Sequence, residues 1–442
     1  MANNTLGHVP DLLRIATAGS VDDGKSTLVG RLLYDTKSVL ADQIDAVTKA
    51  SVDRGLAGPD LSLLVDGLRA EREQGITIDV AYRYFATPTR SFVLADTPGH
   101  VQYTRNTVSG ASTAQLVMLL VDARNGVVSQ TRRHAAVMAL LGVPQLVLAV
   151  NKIDLVDDAA SVFTEIASEF RDLTRTLGWS DDQVTAIPVS ALHGDNIAIR
   201  SQNTPFYDGP TLIEFLETVP NGTDAATGHK HSEVGLRFPV QYVIRPRTTE
   251  YPDYRGYAGQ IAAGRVSVGD QVVVLPSGVR TTVTQIDTAD GQLATAHTGR
   301  SVTLLLADDV DISRGDLIAS AGDAPEPVQQ FSATVCWLAD KPLRPGARLL
   351  LKHGTKTTQA IVGTLDVLFD EQNLALTDAP DTLELNQIGR ITVQTAETIP
   401  ADDYQVNRES GSFLLIDPQG GNTLAAGLVG DALASLHLKE LV

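Results

Sequence analysis

The segment Gly19-Ser-Val-Asp-Asp-Gly24-Lys25-Ser26 constrains this chain more than any other. It follows the apolar run Leu12 to Ala18 and precedes a helical stretch beginning near Thr27, which is the strand, loop, helix order of a phosphate-binding P-loop. Glycines in such a loop let backbone N–H groups surround phosphate oxygens. Lys25 then reaches the β- and γ-phosphates, and Ser26 offers its hydroxyl to Mg2+. Further short apolar runs (Phe92 to Ala95, Leu116 to Val121, Leu146 to Val150, Ala186 to Val189) alternate with helical segments up to about residue 220. That alternation predicts an α/β domain with a mostly parallel sheet and flanking helices. One helix is marked by its period, with Val162, Phe163, Ile166, Phe170, Leu173 and Leu177 forming a stripe that Gly178 ends and Trp179 packs behind.

Beyond residue 220 the pattern changes. Residues 221–232 are polar, glycine-bearing and aperiodic, and read as a linker. After them the apolar residues alternate in short runs broken by Gly and Pro, as at Val240, Tyr242 and Ile244, and at Val272 and Val274. This is how small β-barrels read. A second break at Ala321-Gly-Asp-Ala-Pro-Glu-Pro precedes more alternation through Phe331, Ala333, Val335 and Trp337. The expected division is a P-loop domain over 1–220, a linker over 221–232, and β-barrels over 233–325 and 326–442, in line with the roughly three domains that 442 residues suggest.

Composition narrows the class. The single cysteine, Cys336, rules out an intrachain disulfide and a cysteine-based zinc site, and reads as a small core residue. The N-terminus lacks the basic and apolar regions of a secretory signal, and no apolar run approaches the roughly 18 residues a membrane span needs, so a cytoplasmic protein is expected. Thirty-five basic against 53 acidic side chains give a net charge of −18, which argues against a surface that wraps nucleic acid. His229 and His231 have no carboxylate or histidine cluster beside them and are not taken as metal ligands. Arg245 and Arg247 flank a proline turn and read as solvated.

Three further motifs follow in order, each at a strand end. In Asp96-Thr-Pro-Gly99-His100, Asp96 can hold Mg2+ through water and the Gly99 N–H can approach a γ-phosphate. Upstream, Thr77 in Gly75-Ile-Thr77 offers the remaining Mg2+ hydroxyl. Asn151-Lys152-Ile-Asp154 decides the base, because the Asp154 carboxylate can accept from both N1–H and the 2-amino group of guanine, a donor pair adenine lacks. Ser190-Ala191-Leu192 would back that base with a main-chain N–H. The expected ligands are GTP and Mg2+, with Gly19 to Thr27, Asp96, Gly99, Asn151, Lys152, Asp154 and Ser190 to Leu192 around the nucleotide, Ser20, Val21, Asp22 and Asp23 included.

Residues 12–220 resemble the GTPase domain of the translation-factor superfamily, whose P-loop typically reads GHVDHGKT and whose next motif is DTPGH, as here. The pattern Gly256-Tyr-Ala-Gly-Gln-Ile, Gly264-Arg-Val and Val268-Gly-Asp-Gln-Val is similar to that superfamily's second domain. Within it the chain more closely resembles the GTPase subunit (subunit 1, large subunit) of bacterial sulfate adenylyltransferase. The resemblance rests on the P-loop wording with Asp23, on Arg31-Leu-Leu-Tyr-Asp35, on Asp66 to Phe85 and on Ala95 to Ser112, with Thr107 and Ser109 as mild departures.

The resemblance implies a subunit whose GTP hydrolysis drives formation of adenylyl sulfate and pyrophosphate from ATP and sulfate. It also implies that His100 positions the attacking water, that Val21 and Ile76 gate that histidine, and that Asp22 lies near the phosphates. No SGGxDS or HxGH motif and no second P-loop occurs, so adenylyl transfer is expected on a separate small catalytic subunit, in a heterodimer or larger assembly, and a fused adenylyl-sulfate kinase is expected to be missing. The alternative is an elongation-factor-type GTPase delivering aminoacyl-tRNA. A GTP-binding assembly regulator is the third reading. No nucleic acid and no membrane partner are expected.

Overall fold

The computed structural model describes residues 11–53, 55, 58–65, 80–98, 104–220, 234–246, 248–249, 253–371, 373–436 and 439–440. The chain divides into two compact units, 1–227 with 371–374 and 436–438, and 228–370 with 375–435 and 439–442.

In the first unit, strands β1 (Asp11–Ala18), β2 (Ala81–Ala86), β3 (Arg90–Asp96), β4 (Leu116–Asp122), β5 (Gln145–Asn151) and β6 (Val184–Pro188) form a sheet in the order β2-β3-β1-β4-β5-β6. All neighbours are parallel except β2 with β3. The apolar runs seen in the sequence are these parallel strands. Every residue of β4 and β5 is buried, the signature of a sheet covered on both faces. Edge strand β2 keeps Tyr82 and Tyr84 exposed and buries Phe85 on Phe92 of β3, with ring centroids 4.6 Å apart.

Among the described residues the helices of this unit are α1 (Lys25–Asp35), α2 (Ala41–Asp53), α3 (Thr104–Ala111), α4 (Ser129–Leu140), α5 (Ala159–Thr176) and α6 (Leu212–Thr218). Helix α5 is the stripe helix: Ile166, Phe170 and Leu173 are buried, and Gly178 follows it with φ +95°. Trp179 is buried and donates from its indole to the Val143 carbonyl at 2.9 Å. Gly30 is required by packing, since a Cβ there would lie 2.0 Å from the Leu61 carbonyl oxygen.

The second unit holds two closed barrels. The first contains β7 (Arg237–Ile244), β8 (Gly256–Gln260), β10 (Gln271–Leu275), β11 (Val279–Thr288), β14 (Ser301–Leu306) and β15 (Leu317–Ser320), in the order β10-β15-β7-β8-β14-β11, closed by β10 against β11. Strand β12 (Gly291–Leu293) pairs with β11, and β9 (Arg265–Ser267) and β13 (Thr295–His297) form a separate two-stranded sheet. The second barrel runs β17 (Arg348–His353), β21 (Ser412–Ile416), β22 (Thr423–Val429), β16 (Pro327–Trp337), β20 (Ile388–Pro400) and β18 (Lys356–Asp370), closed by β17 against β18. Closure pairs the edges that an open sheet would expose, while β12 continues past β11 and β19 (Ala375–Thr377) past β18. Each barrel has its own apolar core, and Cys336 is buried in β16.

A buried ion pair ties the two barrels together. Arg237 of β7 donates from Nε and Nη2 to the two oxygens of Asp402, each at 2.9 Å, and Asp402 also accepts from the Ser410 hydroxyl at 2.5 Å. Residues 221–233, which include the expected linker 221–232 with His229 and His231, lie outside the described residues, as does Arg247.

Candidate active site

The strand order sets the site. β1 lies between β3 and β4, so the P-loop after β1, Asp96 ending β3, Asp122 ending β4, Asn151 ending β5 and Ser190 after β6 share the carboxyl edge of the parallel strands. Open α/β sheets bind ligands at that edge.

The P-loop is shaped by its backbone. Gly24 has φ +92° and is the residue before α1, and Asp22 has φ +70°. A Cβ on Gly24 would lie 2.4 Å from the Asn151 amide nitrogen, and one on Gly19 would lie 3.0 Å from the Leu120 carbonyl oxygen. Lys25 is buried at the start of α1 and donates from Nζ to the carbonyls of Gly19 and Ser20, each at 2.8 Å. Burial pushes its ammonium below the ordinary lysine value, opposed by Asp96, Asp23 and Asp22.

Of the two adjacent aspartates, Asp22 faces solvent and Asp23 is 5% exposed. The Asp23 carboxylate accepts the Ser20 N–H at 2.5 Å. Burial raises its pKa, while the Ser20 hydrogen bond and Lys25 oppose the rise. Val21 is exposed on the same loop.

Asp96 is fully buried and held from behind, its Oδ1 accepting from the Thr17 hydroxyl of β1 at 2.8 Å. The Thr97 N–H donates to that hydroxyl at 3.2 Å, and the Thr97 hydroxyl donates to the Thr17 carbonyl at 2.6 Å. Ser26 lies in the first turn of α1, partly buried, and Thr27 follows it. Gly99, His100, Ile76 and Thr77 lie outside the described residues.

The base-recognition segment is joined to the P-loop. Asn151, 1% exposed, donates from Nδ2 to the Asp23 carbonyl at 2.8 Å and accepts the Ala191 N–H on Oδ1 at 2.9 Å. Lys152 has φ +60° and donates to the Asp22 carbonyl at 2.5 Å. It also pairs with Asp122 at 3.0 Å. Asp122 was not singled out from the sequence. Burial alone would raise its pKa, but the Arg124 side-chain and backbone hydrogen bonds and Lys152 overcome this and hold it below the usual carboxylate range. Asp154 lies beside His193, with Oδ2 and Nε2 3.6 Å apart, and Ser190 is buried.

These residues fit an anion with a hard cation. The glycines at 19 and 24 leave no room for a Cβ, and the buried Ser20 hydroxyl has no partner among the described residues. The Ser26 hydroxyl and Asp96 carboxylate are oxygen donors of the kind Mg2+ takes.

The family described as Elongation factor Tu GTP binding domain matches residues 10–224, and GTP-eEF1A C-terminal domain-like matches residues 330–430. A bifunctional enzyme CysN/CysC of Mycobacterium tuberculosis is 53% identical over 95% of this chain and 67% of its own length. Sulfate adenylyltransferase subunit 1 of Colwellia psychrerythraea is 47% identical over 96% of this chain and 88% of its own. The protein of that name from Bacteroides fragilis is 46% identical over 95% of this chain and 86% of its own. A solved structure of sup35 complexed with GMPPNP aligns over 97% of this chain at 22% identity, with a TM-score of 0.42. No helix among the described residues is long and apolar enough to cross a membrane. With a P-loop GTPase domain followed by two β-barrels, and near-half identity along almost its whole length, the chain belongs to the sulfate adenylyltransferase subunit 1 family.

Proposed function

We propose that this chain is the GTP-hydrolysing subunit of a sulfate adenylyltransferase, working in the cytoplasm with a separate small subunit that carries adenylyl transfer from ATP to sulfate. The observation that supports it most is the joined site, in which Asn151 links the base-selecting segment to the P-loop, in a chain close to relatives named subunit 1 along 95–96% of its length. A phosphate–sulfate anhydride is a high-energy bond, so adenylyl transfer alone lies far toward ATP. GTP hydrolysis on this subunit shifts it toward adenylyl sulfate and pyrophosphate.

Each residue then has a task. Asp154 accepts from guanine N1–H and its 2-amino group, and a main-chain N–H of residues 190–192 meets the 6-oxo group. Lys25, with two of its three donors held by the Gly19 and Ser20 carbonyls, presents the remaining one to the β- and γ-phosphates. The Gly99 N–H approaches the γ-phosphate, and His100 orients the attacking water behind the apolar pair Val21 and Ile76. Asp22 borders the phosphates. Ser26, Thr77 and Asp96 would hold Mg2+, which when bound neutralises charge on the phosphate oxygens.

Co-expression with a candidate small subunit tests this. Adenylyl sulfate formation from ATP and sulfate is expected to rise when GTP is added. No stimulation by GTP, together with aminoacyl-tRNA binding by the isolated chain, would overturn the reading in favour of a delivery factor.

A further inference from the structure

The segment Arg31-Leu-Leu-Tyr-Asp35 marks the family in the sequence, yet among the described residues the hydrogen bonds and ion pairs of its side chains do not go to the P-loop. Its arginine has a definite partner. From the second turn of α1, Arg31 donates from Nε to the Ala191 carbonyl at 3.2 Å and from Nη2 to the Leu192 carbonyl at 2.5 Å. The guanidinium is held in place by Asp35, 3.6 Å away one turn on, and by the Tyr34 ring, whose centroid is 5.8 Å from the guanidinium carbon. It also lies along Gly194, where a Cβ would come 3.6 Å from Nη1 and the backbone has φ +85°.

The N–H groups of the loop it grips are almost all spent. Ser190 N–H donates to the Asp195 carbonyl, Ala191 N–H to Asn151 Oδ1, His193 N–H to the Ser190 hydroxyl and Gly194 N–H to the Ser190 carbonyl. Leu192 N–H alone has no acceptor among the described residues. It belongs to the same peptide as the Ala191 carbonyl. A trans peptide is planar, with its C=O and N–H pointing in opposite directions. A guanidinium that fixes the Ala191 carbonyl therefore fixes where the Leu192 N–H aims.

We infer that Arg31 is a positioning residue for guanine recognition: it orients the Ala191–Leu192 peptide so that its N–H meets the 6-oxo group of the base. The inference rests on the guanine-nucleotide reading of the site. Because Arg31 and Lys25 stand on one helix, the strut also fixes the base loop relative to the phosphate loop. Lysine is a poor replacement, since its single ammonium nitrogen cannot stand where both Nε and Nη2 of the planar guanidinium meet the two carbonyls.

The test compares GDP with 6-thio-GDP, whose sulfur is a poor acceptor at the position the N–H addresses, by displacement of a fluorescent GDP from the full chain. In the wild type, GDP is expected to bind several-fold tighter than 6-thio-GDP. Arg31→Ala is expected to weaken GDP by roughly 3- to 10-fold, the worth of one neutral hydrogen bond. It should leave 6-thio-GDP unchanged, so the preference disappears. Arg31→Lys, which keeps the charge beside Asp35, should fall the same way and guards against a folding defect in the alanine variant. An unchanged GDP preference in both variants, or equal weakening of GDP and 6-thio-GDP, overturns the inference and leaves the functional reading standing. Failure of the wild type to bind GDP at all overturns both.

Discussion

Removing the Asn151 side chain should cost more than its small size suggests. The residue is 1% exposed and spans two loops, donating to the Asp23 carbonyl and accepting the Ala191 N–H. Asn151→Ala leaves both backbone groups without their partner in a buried place. Each such group costs about 1–3 kcal/mol, so the pair sets a ceiling of about 6 kcal/mol. Both loops lie at the strand ends and can shift toward water, so a loss of about 2–4 kcal/mol is expected, or roughly 30- to 1000-fold in nucleotide affinity if binding bears it. Asn151→Asp separates the two bonds: its oxygen still accepts from Ala191, but the other oxygen now faces the Asp23 carbonyl, so only the P-loop tie is lost. Titration with a fluorescent GDP, with thermal melting in parallel, measures both. The alanine variant binding within threefold of wild type, at unchanged melting temperature, would refute the idea that Asn151 joins the two halves of the site.

Four further outcomes are expected. Asp154→Asn should weaken GTP and favour xanthosine triphosphate, because the amide can donate to a 2-oxo group, and unchanged GTP affinity would remove the guanine assignment. His100→Ala should keep GTP binding while slowing turnover roughly 100-fold, the low end of a general acid–base contribution; wild-type turnover would remove His100 from the mechanism. Burial, with Lys25 and Arg133 nearby, holds the His134 imidazole down to about 3, so between about pH 6.5 and 3 the unfolded chain binds a proton that the folded chain refuses. Stability should therefore fall as pH drops below 6.5, by up to about 1.4 kcal/mol per pH unit from this group; urea unfolding of His134→Gln should show a shallower slope, and an unchanged slope counts against it. Asp402→Ala leaves the buried Arg237 charge only the exposed Asp323 carboxylate, 3.6 Å away, and should destabilise the barrel unit by about 3 kcal/mol, the low end for breaking a buried pair, read by denaturant unfolding, with a loss under 1 kcal/mol ruling out the pair as the tie between the barrels.

What could be read from the sequence follows from what is local. The parallel strands are buried on both faces, so each is a short apolar run, and the phosphate and base motifs sit directly after them because the sheet delivers its strand ends to one edge. Strand β2 escaped notice because it is a half-exposed edge in which Tyr82 and Tyr84 dilute the apolar signal. The ties across the site were hidden for a different reason. Asn151 reaches Asp23 across 128 positions and Arg31 reaches Leu192 across 161, and no spacing rule connects such pairs.

The two P-loop aspartates show how local backbone geometry decides between neighbours. The family resemblance implies Asp22 near the phosphates and offers Asp23 as a mark of the branch, where translation factors commonly carry histidine. With Asp22 at φ +70° its side chain faces solvent, while the Asp23 side chain turns back inside the loop to accept the Ser20 N–H. A carboxylate next to a phosphate site opposes the anion it helps to bind, and burial raises its pKa for the same reason that the site is costly. The cost is offset by order: Asp23 closes the loop from within through its carboxylate, and its carbonyl receives Asn151. A histidine there would offer the Ser20 N–H one ring nitrogen when neutral and no acceptor when protonated, against two carboxylate oxygens, so the residue that separates this branch in the sequence also bears on how its phosphate loop is held.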